Sequence, residues 1–195
     1  MCGIAGLIHR GKSSNVGSEL QLMLQALKHR GPDSTGYALY AENDGKNFIM
    51  RFKVGENVGE GSTSVNEDAS VYDKRKKLVD NMLGELGAKV IKEDRLTPYS
   101  FRYEMEFNDD LMEFSKKIES VPGVEILSMG KSLEVIKDLG NAKVVCDRYN
   151  LDKVMGTHAI GHARMATESG VDIKSAHPFW GYPFSDVSVV HNGQL

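Results

Sequence analysis

Between Tyr99 and Phe107 the chain alternates without a break. Tyr99, Phe101, Tyr103, Met105 and Phe107 are apolar, while Ser100, Arg102, Glu104 and Glu106 are polar. A β-strand, whose side chains point to opposite faces in turn, sorts such a run into one dry face and one wet face. A strand like this is not stable alone and requires a sheet with one covered face. Cover is available on both sides of it. Leu78, Val79, Met82, Leu83 and Leu86 recur at helical spacing and are closed by Gly87, and Leu111, Phe114 and Ile118 mark another helix. Val124 to Met129 reads as a further short strand. The aromatic stripe is therefore read as core rather than as a stacking platform for bases.

The rest of the chain is organised around this region. An apolar run from Gly3 to Ile8 predicts a first strand. A helix follows, with Leu20, Met23, Leu24 and Leu27 on one face and Ser18 and Gln21 forming a capping-box signature. His29-Arg30-Gly31-Pro32-Asp33-Ser34-Thr35-Gly36 breaks all regularity and reads as a shaped loop. Tyr37 to Tyr40 and Asn47 to Val54 are expected to pair as a hairpin around Asn43-Asp44-Gly45. Gly55 to Ala69, rich in glycine, serine and acidic residues, reads as a linker. After Gly156 two more strands are expected, His158 to Arg164 and Asp186 to His191. This pattern predicts a core made of residues 1–54 and 157–195, interrupted by an inserted α/β layer over residues 55–156.

Composition narrows the classes of function. The chain has 195 residues, of which 41% are hydrophobic and 26% charged, with a formal net charge of −3. That balance does not supply the clustered basic excess of a nucleic-acid surface. No apolar stretch approaches the roughly 18 residues of a membrane span. Two cysteines, Cys2 and Cys146, make no disulfide framework and fit a reducing cytoplasm. Cys146, within Val144-Val145-Cys146, reads as an ordinary buried residue.

Four short motifs bear on chemistry. Gly6-Leu7-Ile8-His9-Arg10-Gly11-Lys12-Ser13 satisfies the pattern of a phosphate-cradling loop. Leu7 and Ile8 read as the strand itself, however, and Ser14-Asn15-Val16-Gly17 is a poor first helical turn, so the amides that would hold phosphate are not expected in place. The six histidines fall in no metal-ligand spacing, and neither metal nor cofactor is expected. Cys2 is the position at which removal of Met1 exposes a thiol beside a free amine, and an α-amino group titrates near ~7.7–8.0, well placed to act as its base. The alternative for Cys2 is a small core residue. Arg164 and Thr167 could hold a carboxylate between a guanidinium fork and a hydroxyl, or could be surface residues. Asn192 and Gly193 offer two donors able to converge on one oxygen, or a common turn dipeptide.

Taken in order, Cys2-Gly3-Ile4, the 29–36 loop, Gly161-His162-Ala163-Arg164-Met165-Ala166-Thr167, Ala176-His177-Pro178-Phe179 and His191-Asn192-Gly193 resemble the class II glutamine amidotransferases. These are N-terminal-nucleophile hydrolases with two sheets sandwiched between helical layers. The resemblance covers the first 54 and roughly the last 40 residues. It implies an α+β, αββα sandwich with Cys2 as nucleophile, Arg164 and Thr167 on the α-carboxylate of L-glutamine, and Asn192 and Gly193 on the oxyanion. Arg30 and Asp33 would brace the loop beside the thiol. The reaction implied is release of ammonia from glutamine through a glutamyl thioester, for an ammonia-accepting synthase domain or subunit. Met165 and Glu168 depart from the sugar-phosphate branch of the family. The long central segment and Arg30-Gly31-Pro32-Asp33-Ser34 are more like the amidotransferase subunit of archaeal-type glutamate synthase or N-methylglutamate synthase. A catalytically silent glutamine-binding module of the same fold is the rival reading. Only Gln194 and Leu195 follow Gly193, and the domain is expected to be incomplete at its C-terminus, with Val187, Val189 and Val190 partly unshielded.

Overall fold

The computed structural model describes residues 2–55, 68–165 and 173–193. Two four-stranded antiparallel sheets carry the fold. The first runs β1 (Gly3–Ile8), β8 (Gly156–Arg164), β2 (Ser34–Ala41) and β7 (Leu133–Leu139) in spatial order. The second runs β4 (Lys89–Thr97), β5 (Ser100–Glu106), β3 (Phe48–Lys53) and β6 (Glu125–Gly130). Each sheet packs one face against a pair of helices. Tyr37, Leu39, Ala159 and Ile136 of the first sheet bury against α1 (Val16–Ala26) and α4 (Ala142–Tyr149). Met50, Phe52, Phe101, Tyr103 and Met105 of the second bury against α2 (Ala69–Glu85) and α3 (Leu111–Glu119). A smaller cluster of Ala38, Leu127, Leu133 and Val135 joins the sheets where β6 turns into β7. The molecule is thus α+β, and its packing order is compatible with a sandwich.

The alternation over 99–107 becomes β5, with Phe101, Tyr103 and Met105 all buried on the helix side. Its other face is drier than expected. Arg102 turns inward and its guanidinium bonds both oxygens of Glu134 on β7, at 3.0 and 3.1 Å, where Arg51 of β3 adds a contact of 2.6 Å. A carboxylate held between two guanidiniums lets a charged strand face be buried.

Several expectations are corrected. β2 and β3 do not form a hairpin, because both edges of β2 are taken by β7 and β8. The turn itself forms, with Asn43 Oδ1 accepting from the Gly45 amide at 2.8 Å, but it carries the chain from one sheet to the other. Helix α1 begins earlier than the Ser18 signature indicates. Asn15 caps it, accepting from the Ser18 amide at 2.9 Å. The strand expected over 186–191 shrinks to β10 (Ser188–Val189), paired with β9 (Phe179–Trp180). Asp186 cannot belong to it, because its backbone is left-handed at φ 57°. Its carboxylate instead accepts the amides of Lys131, Ser132 and Leu133 and the Ser132 hydroxyl, at 2.7–3.0 Å. That fastens the segment after residue 173 over the β6–β7 turn. Residues 55–156, read as one inserted layer, supply strands to both sheets: β4, β5 and β6 to the second, and β7 to the first. Phe48–Lys53, on the other side of that division, lies in the second sheet.

Val187 and Val189 are 47% and 54% exposed, and Val190 is half-buried. Among the described residues no helix is long and apolar enough to cross a membrane.

Candidate functional site

Strand register brings the separate motifs to one end of the first sheet. Gly3 pairs with Ala163, so Cys2 lies one step further, beside Arg164. On the other side of β8, Arg164 pairs with Ser34, the first residue of β2. Side chains alternate along a strand. Since Ala5, Tyr37 and Ala159 face the helices, Cys2, Ile4, Ser34, Gly36, His162 and Arg164 belong to the opposite face. The thiol at the head of β1 therefore shares a surface with the arginine at the tail of β8.

Three contacts fix Cys2. Its carbonyl accepts from Arg30 Nε at 3.3 Å and from Asn192 Nδ2 at 3.0 Å, and its Sγ lies 4.0 Å from the Met165 carbonyl. Arg30 ends a short 3-10 turn over Lys28–Arg30. The next residue, Gly31, is pressed so closely on β8 that an added Cβ would sit 2.4 Å from the carbonyl of Ala163. Only glycine permits that approach. Asp33 is stitched in by its backbone, its amide bonding the Arg164 carbonyl at 3.2 Å and its carbonyl accepting from Gly140 at 3.0 Å. The loop read as shaped is thus clamped to the end of β8.

The structure brings together Cys2, Arg30 and Asn192 by direct hydrogen bonds, and Asp33 and Arg164 through the backbone. Gly193, at φ 146°, follows Asn192. Thr167 lies outside the described residues. The thiol is half-buried, whereas Cys146 is buried at 2% exposure and burial pushes its thiol up to about 11. Of the two sulfurs, Cys2 is the accessible one.

Sequence reasoning missed a set of histidines over this face. His177 covers Gly36, where a Cβ would meet the His177 carbonyl at 1.9 Å. Its ring lies 4.8 Å from that of His162 and 6.5 Å from that of His191. His162 is 2% exposed. Burial, then the nearby His177 and Arg164, hold its ring down to about 4, so it is neutral near pH 7. Burial, then the nearby Lys137, His191 and Arg164, lower His177 as well. The signal was present in the sequence, since His162 lies two residues before Arg164 on one strand face, but the spacing was tested only for metal ligation. Among the described residues no group of three His, Cys, Asp or Glu side chains could hold a metal ion.

No protein-family model matches the chain. It is 36% identical to a Methanothermobacter thermautotrophicus protein named "Putative glutamine amidotransferase", over 100% of this chain and 62% of that protein. It is 31% identical to the "Glutamine amidotransferase-like protein GlxB" of Rhizobium meliloti, over 100% of this chain and 59% of that one. A shorter match, 38% identical, covers 37% of the chain and 13% of the chloroplastic amidophosphoribosyltransferase 2 of Arabidopsis thaliana. The chain spans about three-fifths of the length of the first two relatives.

Proposed function

We propose that this chain carries the glutamine-hydrolysing site of a class II, N-terminal-nucleophile amidotransferase, with Cys2 as nucleophile. One observation carries the reading: Cys2, at the head of a sheet strand, is held by Arg30 and Asn192 and lies beside Arg164. The names of the two relatives matched over the whole chain support its broader part, a glutamine amidotransferase.

In this reading removal of Met1 frees the Cys2 amine, which takes the thiol proton. The thiolate attacks the side-chain amide carbon of glutamine, whose α-carboxylate rests on Arg164 and Thr167. The negative oxygen that develops is met by Asn192 and by the Gly193 amide. A side-chain amide has two N–H donors. One Asn192 N–H already fastens the Cys2 carbonyl, leaving the second for the oxyanion. The amine returns its proton to the departing nitrogen, which leaves as ammonia, and water then hydrolyses the glutamyl thioester to glutamate. Arg30 and Asp33 keep the loop and the nucleophile in place. The ammonia passes to a synthase domain or subunit, of the glutamate-synthase or N-methylglutamate-synthase type.

The test is labelling by a glutamine-like diazoketone, read by peptide mass spectrometry together with ammonia release. Modification should fall on Cys2 of chain lacking Met1, and Cys2→Ala should abolish both labelling and ammonia release. Labelling of Cys146 in place of Cys2 would overturn the assignment.

A further inference from the structure

Buried polar atoms are nearly always hydrogen-bonded, and each exception calls for an explanation. Among the described residues, seven buried side-chain nitrogen or oxygen atoms have no hydrogen-bond partner. Five of them gather on one surface: Ser34 Oγ, both ring nitrogens of His162, His177 Nε2 and His191 Nδ1. Ser34 is wholly buried and pairs across the strands with Arg164. His162 pairs with Gly36 on one side and with Ile4 on the other. It is therefore one alternation deeper in the sheet than Cys2 and Arg164, on the same face. His177 and His191 close over it, and Asn192, which bonds Cys2, follows directly.

We infer that Ser34, His162, His177 and His191 form the polar floor of the candidate site, and that the bound substrate, a small amide-bearing amino acid, completes their hydrogen bonds. The inference rests on the glutaminase reading and deepens it by adding specificity-determining contacts beyond Arg164. The chemistry of the floor fits such a ligand. The Ser34 hydroxyl and the neutral imidazoles of His162 and His177 each offer a donor and an acceptor. An amide also presents both, so Ser34, His162 and His177 suit its polar end while Arg164 takes the charged end. A purely anionic ligand would leave the acceptor nitrogens unused. His162 and Arg164 stand two residues apart on one face of β8, roughly 6–7 Å along the strand, so one such molecule can bridge them.

A structural role and a ligand role predict opposite behaviour. If Ser34 served the fold, Ser34→Ala would lower stability. If its hydroxyl awaits a ligand, removing it takes away an orphaned buried group and leaves the melting temperature unchanged or higher. The same substitution should raise the concentration of the glutamine-like diazoketone giving half-maximal inactivation of Cys2, by about three- to tenfold. His162→Phe should act in the same direction, and His162→Gln, which keeps a donor and an acceptor, should restore part of the loss. In the Cys2→Ala chain, which cannot consume it, added L-glutamine should shift the 15N resonances of the His162 ring. Unchanged half-maximal concentrations in Ser34→Ala and His162→Phe, with Cys2 still labelled, would overturn the floor and leave the glutaminase reading standing. No labelling of Cys2 in the unaltered protein would overturn the glutaminase reading itself, and the floor with it.

Discussion

Between the two sheets, Glu134 accepts from Arg51 and Arg102, and beside α4 the wholly buried Asp138 accepts from Tyr99 at 2.6 Å, Tyr149 at 3.1 Å and Arg148 at 2.6 Å. At the Cys2 end of the first sheet, Ser34, His162, His177 and His191 instead keep buried atoms with no partner. Both regions bury polar groups, and burial without a partner costs free energy. Where every group is answered, the polar interior locks two sheets in one register. Where groups are left unanswered, the fold tolerates a local cost, as binding surfaces do.

The comparison breaks most sharply at Glu134. Glu134→Ala leaves Arg51 and Arg102 buried without their anion and should cost about 3–5 kcal/mol in denaturant unfolding. A loss below about 1 kcal/mol, the scale of an exposed pair, would show that the cluster does not lock the sheets. At the other end, Asn192→Ala should barely affect unfolding but lower kcat for glutamine roughly 10²–10³-fold. Arg164→Ala should mainly raise KM, by the equivalent of about 1.5–3 kcal/mol, because its contact is made equally before and during reaction. A kcat defect at Arg164 with a KM defect at Asn192 would reverse their roles.

Acid sharpens the comparison further. Burial pushes the Glu134 carboxyl up, but Arg51 and Arg102 outweigh it and hold the group below its usual 4.5. Its contribution to stability is present above that value and is lost as pH falls through the lower folded-state value. His162 has a folded value near 4 against an ordinary 6.5, so between those values the unfolded chain binds the extra proton and stability falls as pH drops from 6.5 toward 4. Unfolding curves for His162→Phe should be flatter across that window, and those for Glu134→Gln flatter below it. The smallest effect is expected outside both regions. Asp73→Ala removes an ion pair to Arg95 whose side chains are 60% and 36% exposed, and should change stability by less than about 1 kcal/mol.

What the sequence disclosed depended on how local each signal was. The dry and wet faces of β5 and the apolar stripes of α2 and α3 are written in neighbouring residues. β4 was passed over because five of its nine residues, Lys89, Lys92, Glu93, Asp94 and Arg95, are charged and it lies at a sheet edge with most of its length exposed. β7 was missed for the opposite reason. Both its faces are buried, and Glu134, Lys137 and Asp138 interrupt its apolar pattern with charges whose ion-pair partners lie on other strands and on α4. The motifs at Cys2, Arg30, Arg164 and Asn192 could be found one by one. Their meeting at one sheet end depends on pairings that no local pattern contains, and the orphaned atoms of Ser34 and His162 could be recognised only once their surroundings were known.

The first sheet is assembled from widely separated stretches: β1 pairs with β8, and Asn192 bonds Cys2 across 190 positions of chain. Contacts so distant in sequence form slowly, because a long loop must close before they stabilise anything. During synthesis, at about 5–20 residues per second, Cys2 is made well before the strand and the asparagine that hold it. The hold of Asn192 on the Cys2 carbonyl is therefore completed only after the far end of the described structure has returned to the first strand.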